Sequence, residues 1–116
     1  MKEDVTFSNY GKAFQETLSQ LIFEDRAFSE QMEEVLDINF FELKYLQEFV
    51  RLVFGYRHKY GVHPSEDIMS SILRTEIDEE SDLIKKQLRD YFARSIATKV
   101  KDVDYIKETA LDFCKK

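Results

Sequence analysis

The sequence predicts an all-α fold, a bundle of about six helices packed as one domain. Three observations lead there. Apolar residues recur at i, i+3, i+4 and i+7 almost from end to end. Three Gly and one Pro in 116 residues are too few turn-formers for a sandwich or barrel of many short strands. Ten Phe and six Tyr supply a core heavy in aromatic rings, and a chain of this length supports one such core rather than two.

The first helix is predicted from about Tyr10 to Glu24, where Phe14, Leu18, Leu21 and Ile22 share a face. Residues 1–9 read as a tail. A shorter second helix carries Phe28, Met32, Val35 and Leu36, and Asp37 and Asn39 mark its end. A long third helix is predicted from about Phe40 to Tyr60 with Leu46, Phe49, Val50, Val53 and Phe54 inward; Gly61 and Pro64 then read as a helix stop. Ser65 is the expected N-cap of a fourth helix, with Glu66 and Asp67 in its first turn and Ile68, Met69, Ile72 and Leu73 buried. The fifth, from about Glu79 to Ala97, should turn Leu83, Ile84, Leu88, Tyr91, Phe92 and Ile96 inward. Asp102 reads as the N-cap of a sixth, in which Val103, Ile106, Ala110 and Phe113 repeat at 3, 4, 3. That narrow seam suits a facing helix, either of the domain's own core or of a partner. With no stop residue after Phe113, the last helix is expected to run on past Lys116. The domain organisation is therefore a tail over 1–9, a helical head over 10–101 and a separate helical segment over 102–116.

Charge narrows the function classes. The net charge of −6 and a pI near 5.0 oppose a sequence-independent grip on nucleic acid phosphates. Five acids lie within Glu76–Asp82, and six bases against one acid within Lys85–Lys101. The acidic run lacks the alternating oxygens, central Gly and closing Glu of a calcium loop. Acids at the start of a helix and bases toward its end match the helix dipole, and Asp82 and Lys86 are placed to pair at i,i+4. One Cys fits a reducing compartment. No window nears the roughly 18 apolar residues of a membrane span, so no membrane role and a cytoplasmic location are expected.

Residues that carry chemistry are scattered. His58 and His63 lie five apart across a helix end and share no face as metal ligands would. Gly55 and Gly61 are not followed by the Gly-Lys-Ser/Thr of a phosphate loop. Adjacent carboxylates such as Glu33 and Glu34 point to different sides of a helix, and Cys114 has no activating partner in the sequence. No catalytic residue, cofactor or metal is expected. Gly55, in mid-helix, marks either a close helix crossing or simple tolerance.

The order of these elements resembles the start of DnaB-type replicative DNA helicases, divergent phage-like members above all. The likeness rests on an opening helix ending near Asp25, the stretch Val35-Leu36-Asp37 to Phe40-Phe41, a long helix ending in Tyr60, Gly61 and Pro64, and the last segment from Val100. Many bacterial members carry Ile-Asp after the Pro, where this chain has Ser65-Glu66. The resemblance implies a non-catalytic N-terminal domain within a bacterial cell, whether the gene is bacterial or phage-borne. Its ATPase domain would lie elsewhere in the full protein. It also implies an orthogonal helical head that joins a hexameric ring and docks primase or a helicase loader, with residues 102–116 beginning a dimerising hairpin that Lys116 cuts short. On that reading Val103, Ile106, Ala110 and Phe113 face a second copy. The competing readings are a helicase-binding domain of a primase or loader, a standalone helical regulator, and a small helical enzyme.

Overall fold

The structure, a computed structural model, describes residues 6–115. A 3-10 turn at Phe7–Tyr10 leads into α1 (Gly11–Glu24), α2 (Arg26–Val35), a second 3-10 turn at Ile38–Phe40, then α3 (Lys44–Tyr60), α4 (Glu66–Thr75), α5 (Asp82–Ile96) and α6 (Val103–Cys114). The described residues form an all-α bundle of six helices with no strand.

Helix α1 lies at the centre. Phe14, Leu18, Leu21, Ile22 and Phe23 form its apolar surface, but Gln15, Ser19 and Gln20 are buried too, because α2, α3, α6 and the first turn all pack on it. The stop at Gly61 and the cap at Ser65 read as the sequence predicts, and the Asp25 cap is one that the sequence reading does not assign. Asp25 caps α2 by accepting from Phe28 N at 3.0 Å, and Ser65 caps α4 by accepting from Ile68 N at 3.2 Å. Gly61 closes α3 in the left-handed region (φ 73°), a conformation that favours glycine.

Several expectations are corrected. Helix α3 begins at Lys44, not Phe40. The Asp37 carboxylate accepts from Asn39 N at 2.9 Å and holds a 3-10 turn, after which extended backbone at Phe41 drops that ring into the core. Helix α5 begins at Asp82, not Glu79, because Ile77 is buried and draws residues 76–80 into a loop that ends at the Ser81 cap. Its buried stripe is Leu88, Tyr91, Phe92 and Ser95. Leu83 and Ile96 lie beside that stripe and are 64% and 44% exposed, against the inward placement expected. Lys86 pairs with Asp90 at 2.8 Å rather than with Asp82. Asp102 precedes α6, yet its side chain caps nothing. It sits instead in the left-handed region (φ 56°), which Asp adopts more readily than most residues.

The chain ends also differ from the sequence reading. Residues 1–5 of the expected tail and Lys116 lie outside the described residues. Phe7, within that tail, is 0% exposed and sits among Phe14, Phe40, Phe41 and Phe113, with ring centroids 4.7–6.0 Å away. Helix α6 lies against α1 and α2, so it is built into the head.

Phe113 belongs to this cluster, with Phe40 at 5.2 Å and Tyr10 at 6.1 Å as further ring neighbours. Phe113→Glu places a carboxylate among rings and should destabilise the fold by about 2 kcal/mol. Tyr105→Glu, at a residue 59% exposed on the same helix, should change little. Thermal unfolding followed by circular dichroism checks the pair; an unchanged midpoint for Phe113→Glu would place the ring outside the core.

Candidate functional site

The sequence singles out the seam Val103, Ile106, Ala110 and Phe113. Its side chains lie against the chain's own core: Ile106 and Ala110 are buried, and Val103 and Phe113 are half-buried and packed on the same cluster. Lys107 reinforces the docking through an ion pair with Asp25, the α2 cap, and its ammonium lies 5.5 Å from the Phe28 ring centre. The face α6 leaves to water is Asp104, Tyr105, Glu108 and Asp112, which is mostly acidic.

The residues weighed for chemistry are dispersed. Among the described residues no group of three or more His, Cys, Asp or Glu could hold a metal ion. His58 is exposed, whereas His63 bridges two elements. Its Nε2 donates to the Phe23 carbonyl, and its Nδ1 accepts from the Arg57 guanidinium at 3.2 Å. Burial pushes the Cys114 thiol up to about 11, away from the thiolate a nucleophile needs. No helix of the described residues is long and apolar enough to cross a membrane.

Two carboxylates have strongly shaped surroundings. Burial raises Glu16, but two hydrogen bonds from Arg94 (2.8 and 3.1 Å) and one from the Tyr45 hydroxyl (2.5 Å) outweigh it, and the carboxyl is held below its ordinary range. Tyr45 moves the other way, raised by burial and by that carboxylate. About one turn further along α3, burial likewise raises Glu48, while its bond from Arg51 brings the carboxyl below the usual value. Glu80, from the α4–α5 loop, sits against the same pair and is raised, by burial first and then by Glu48. This Glu48–Arg51–Glu80 triad ties the loop to α3.

The triad borders a concave feature that carries both apolar and charged walls. Between α3 and α4 runs an open groove of about 500 Å³, lined by Leu52, Gly55, Tyr56, Tyr60, Ile68 and Ile72, with Lys59 near one end and Arg51 and Glu76 at the other. At that second end it shares Arg51, Leu52 and Glu76 with a hollow of about 350 Å³ walled by Glu48, Asp78, Glu79 and Glu80. Sequence reasoning marks Gly55 but not the groove, and of its two explanations the close crossing fails. A Cβ built at Gly55 meets nothing within 4 Å.

No family model matches the chain, and neither a curated protein nor a solved structure matches it.

Two outcomes follow from these environments. A Glu whose folded pKa lies below its ordinary 4.5 contributes stability that is complete above 4.5 and disappears as pH falls through the lower folded value. Glu16→Gln should therefore cost about 1 kcal/mol at neutral pH, and the difference from wild type should shrink in urea melts taken progressively into acid. A difference that is constant with pH would contradict the assignment. Gly55→Ala should raise the melting temperature, by about 0.5–1 kcal/mol of helix propensity, because nothing in the head needs the missing Cβ.

Proposed function

We propose that this chain is a non-catalytic protein-docking head of the kind that opens DnaB-type replicative DNA helicases, supporting ring assembly and the docking of primase or a helicase loader. The observation that carries the reading is the structural work done by the residues on which the family likeness rests. Asp37 holds the turn before the long helix, Phe41 fills the core behind it, Gly61 closes that helix in the left-handed region, and Pro64 is buried beyond it. These are turn and closure positions, and each of them sets the path of this chain's own backbone between α2 and α4.

Two further features support a docking role over catalysis. The carboxylates with displaced protonation are engaged in structural ties: Glu16 of α1 to Arg94 of α5 and Tyr45 of α3, and Glu48 to Arg51 of its own helix, beside Glu80 of the α4–α5 loop. The net charge of −6 also opposes tight phosphate binding, so contact with DNA falls to other parts of the assembly. In this reading α6 is the lead helix, oriented by its anchorage on α1 and α2, and the seam is committed to the head. Copies then meet through other surfaces.

The test uses the full protein with and without residues 1–115. Removing the head should leave nucleotide hydrolysis measurable while lowering the sedimenting oligomer and abolishing the complex with primase or loader. The isolated chain should not turn over ATP. Hydrolysis by the isolated chain, or a ring and its partner complex that are unaffected by the deletion, would overturn the proposal.

A further inference from the structure

We infer that the groove between α3 and α4 seats an amphipathic α-helix of a partner protein, with the basic end of that helix over the acidic corner at Glu76 and Asp78. The inference goes beyond the helicase reading, since it concerns a surface of this head whatever the larger protein is.

The floor is apolar and the backbone at its middle is bare. Leu52, Ile68 and Ile72 lie on either side of Gly55, which is exposed and has no neighbour within 4 Å of where a Cβ would be. The glycine is thus unused by the fold, and what its missing side chain does is keep the trough deep at its midpoint and let another backbone approach. Tyr56 and Tyr60 form one wall, their rings 4.6 Å apart, and Tyr60 is 57% exposed. Rigid, half-wet aromatic rings of this kind are the side chains that anchor protein partners.

Charge sets the orientation of the occupant. At the end nearest α5, Glu76, Asp78 and Glu79 form no ion pair among the described residues, and the cation beside them, Arg51, is held by Glu48 and Glu80. Lys59 lies toward the far end. The field along the groove therefore runs from acid to base, and helices ordinarily carry cations in the last turn and acids in the first. A helix laid with its C-terminus at the corner satisfies both ends.

Other occupants fit less well. An extended peptide finds no ladder, because both walls are helices whose backbone groups bond internally. Nucleic acid meets uncompensated carboxylates. A second copy lacks the complementary element among the described residues. Its exposed large apolar residues within helices are Tyr60, Leu83, Ile96 and Tyr105, and no helix carries two of them at i, i+3, i+4 or i+7. The occupant is thus a helix from another protein, with Leu, Ile or Phe at that spacing and Lys or Arg in its last turn.

The experiment titrates the isotope-labelled chain with two stapled peptides of about four helical turns, equal in composition and helicity. Both carry leucines at i, i+4, i+7; one has lysines in the last turn and glutamates in the first, and the other has them exchanged. The first should give saturable amide shifts centred on Leu52, Gly55, Tyr56, Ile68 and Ile72, and should bind about tenfold more tightly than the second. Gly55→Leu should weaken it by about tenfold or more while the chain stays folded. Glu76→Lys should erase the preference between peptides without touching the groove floor. Absence of saturable shifts, equal binding of both peptides, or indifference to Gly55→Leu would overturn the inference. So would shifts at the same residues that appear on raising the chain's own concentration alone, because the occupant would then be a second copy.

Discussion

Much in this head depends on covering one helix, α1, over most of its surface. A surface helix buries one stripe and leaves its polar face wet, but α1 is covered by α2, α3, α6, the first turn and the side chains of α5, so Gln15, Ser19 and Gln20 are buried with its apolar residues while Lys12 and Glu24 stay exposed. An unpaired buried polar group costs about 1–3 kcal/mol, and Gln15, Glu16 and Gln20 are each hydrogen-bonded, although the Ser19 hydroxyl has no such partner among the described residues. Gln15 Oε1 accepts from Glu42 N at 2.9 Å and Leu43 N at 3.4 Å, doing for the start of α3 what its own residues do not. Glu16 holds Tyr45 of α3 and Arg94 of α5, and its carbonyl accepts from Tyr91 at 2.8 Å. Gln20 donates to the Ser95 and Thr98 carbonyls at 2.9 Å, finishing α5. Asp25, just past its end, takes α6 through Lys107. Apolar contact alone would let these helices rotate and slide; four polar residues along one helix fix where each neighbour begins or ends.

How much of this was legible in the sequence follows from range. Helix existence and the boundary between α3 and α4 were readable, because Ser65 and Gly61 act within a few residues of themselves. The start of α3 was not, because the backbone just before it is held by Gln15, 27 residues earlier. Hydrophobicity alone points Leu83 and Ile96 inward, yet burial on α5 is decided by where its neighbouring helices lie, and the adjacent positions take the core. Phe7 reads as tail because most of the rings that bury it are distant in sequence. Its partners Phe40, Phe41 and Phe113 come from the middle and the end of the chain.

The candidate sites divide along the same line. The spacing of Val103, Ile106, Ala110 and Phe113 correctly announced a helix needing a partner helix, but periodicity does not say whose. Here α1 and α2 of the same chain are that partner, and a self-association face on α6 would have to be built from Tyr105 and the acids around it. Gly55 was conspicuous in the sequence for its helix-breaking tendency, while the groove over it exists only because α4 returns beside α3 with space between them. The acidic run before α5 read as dipole-matched solvation, and Asp82 does sit in the first turn. Glu80 instead leaves that run to meet Glu48 and Arg51, an encounter set by the loop around buried Ile77.

The central claim is that α6 is one of the walls enclosing α1 and unfolds with it. Native-state amide hydrogen exchange measures this directly. The account predicts that amides around Ile106 and Ala110 exchange only through the same global opening as those around Leu18 and Ile22, with equal free energies of exchange and equal denaturant dependence. If α6 instead exchanges through a low-energy local opening while α1 stays protected, then α6 is an appendage, its seam is open to a partner, and the enclosure described here is incomplete.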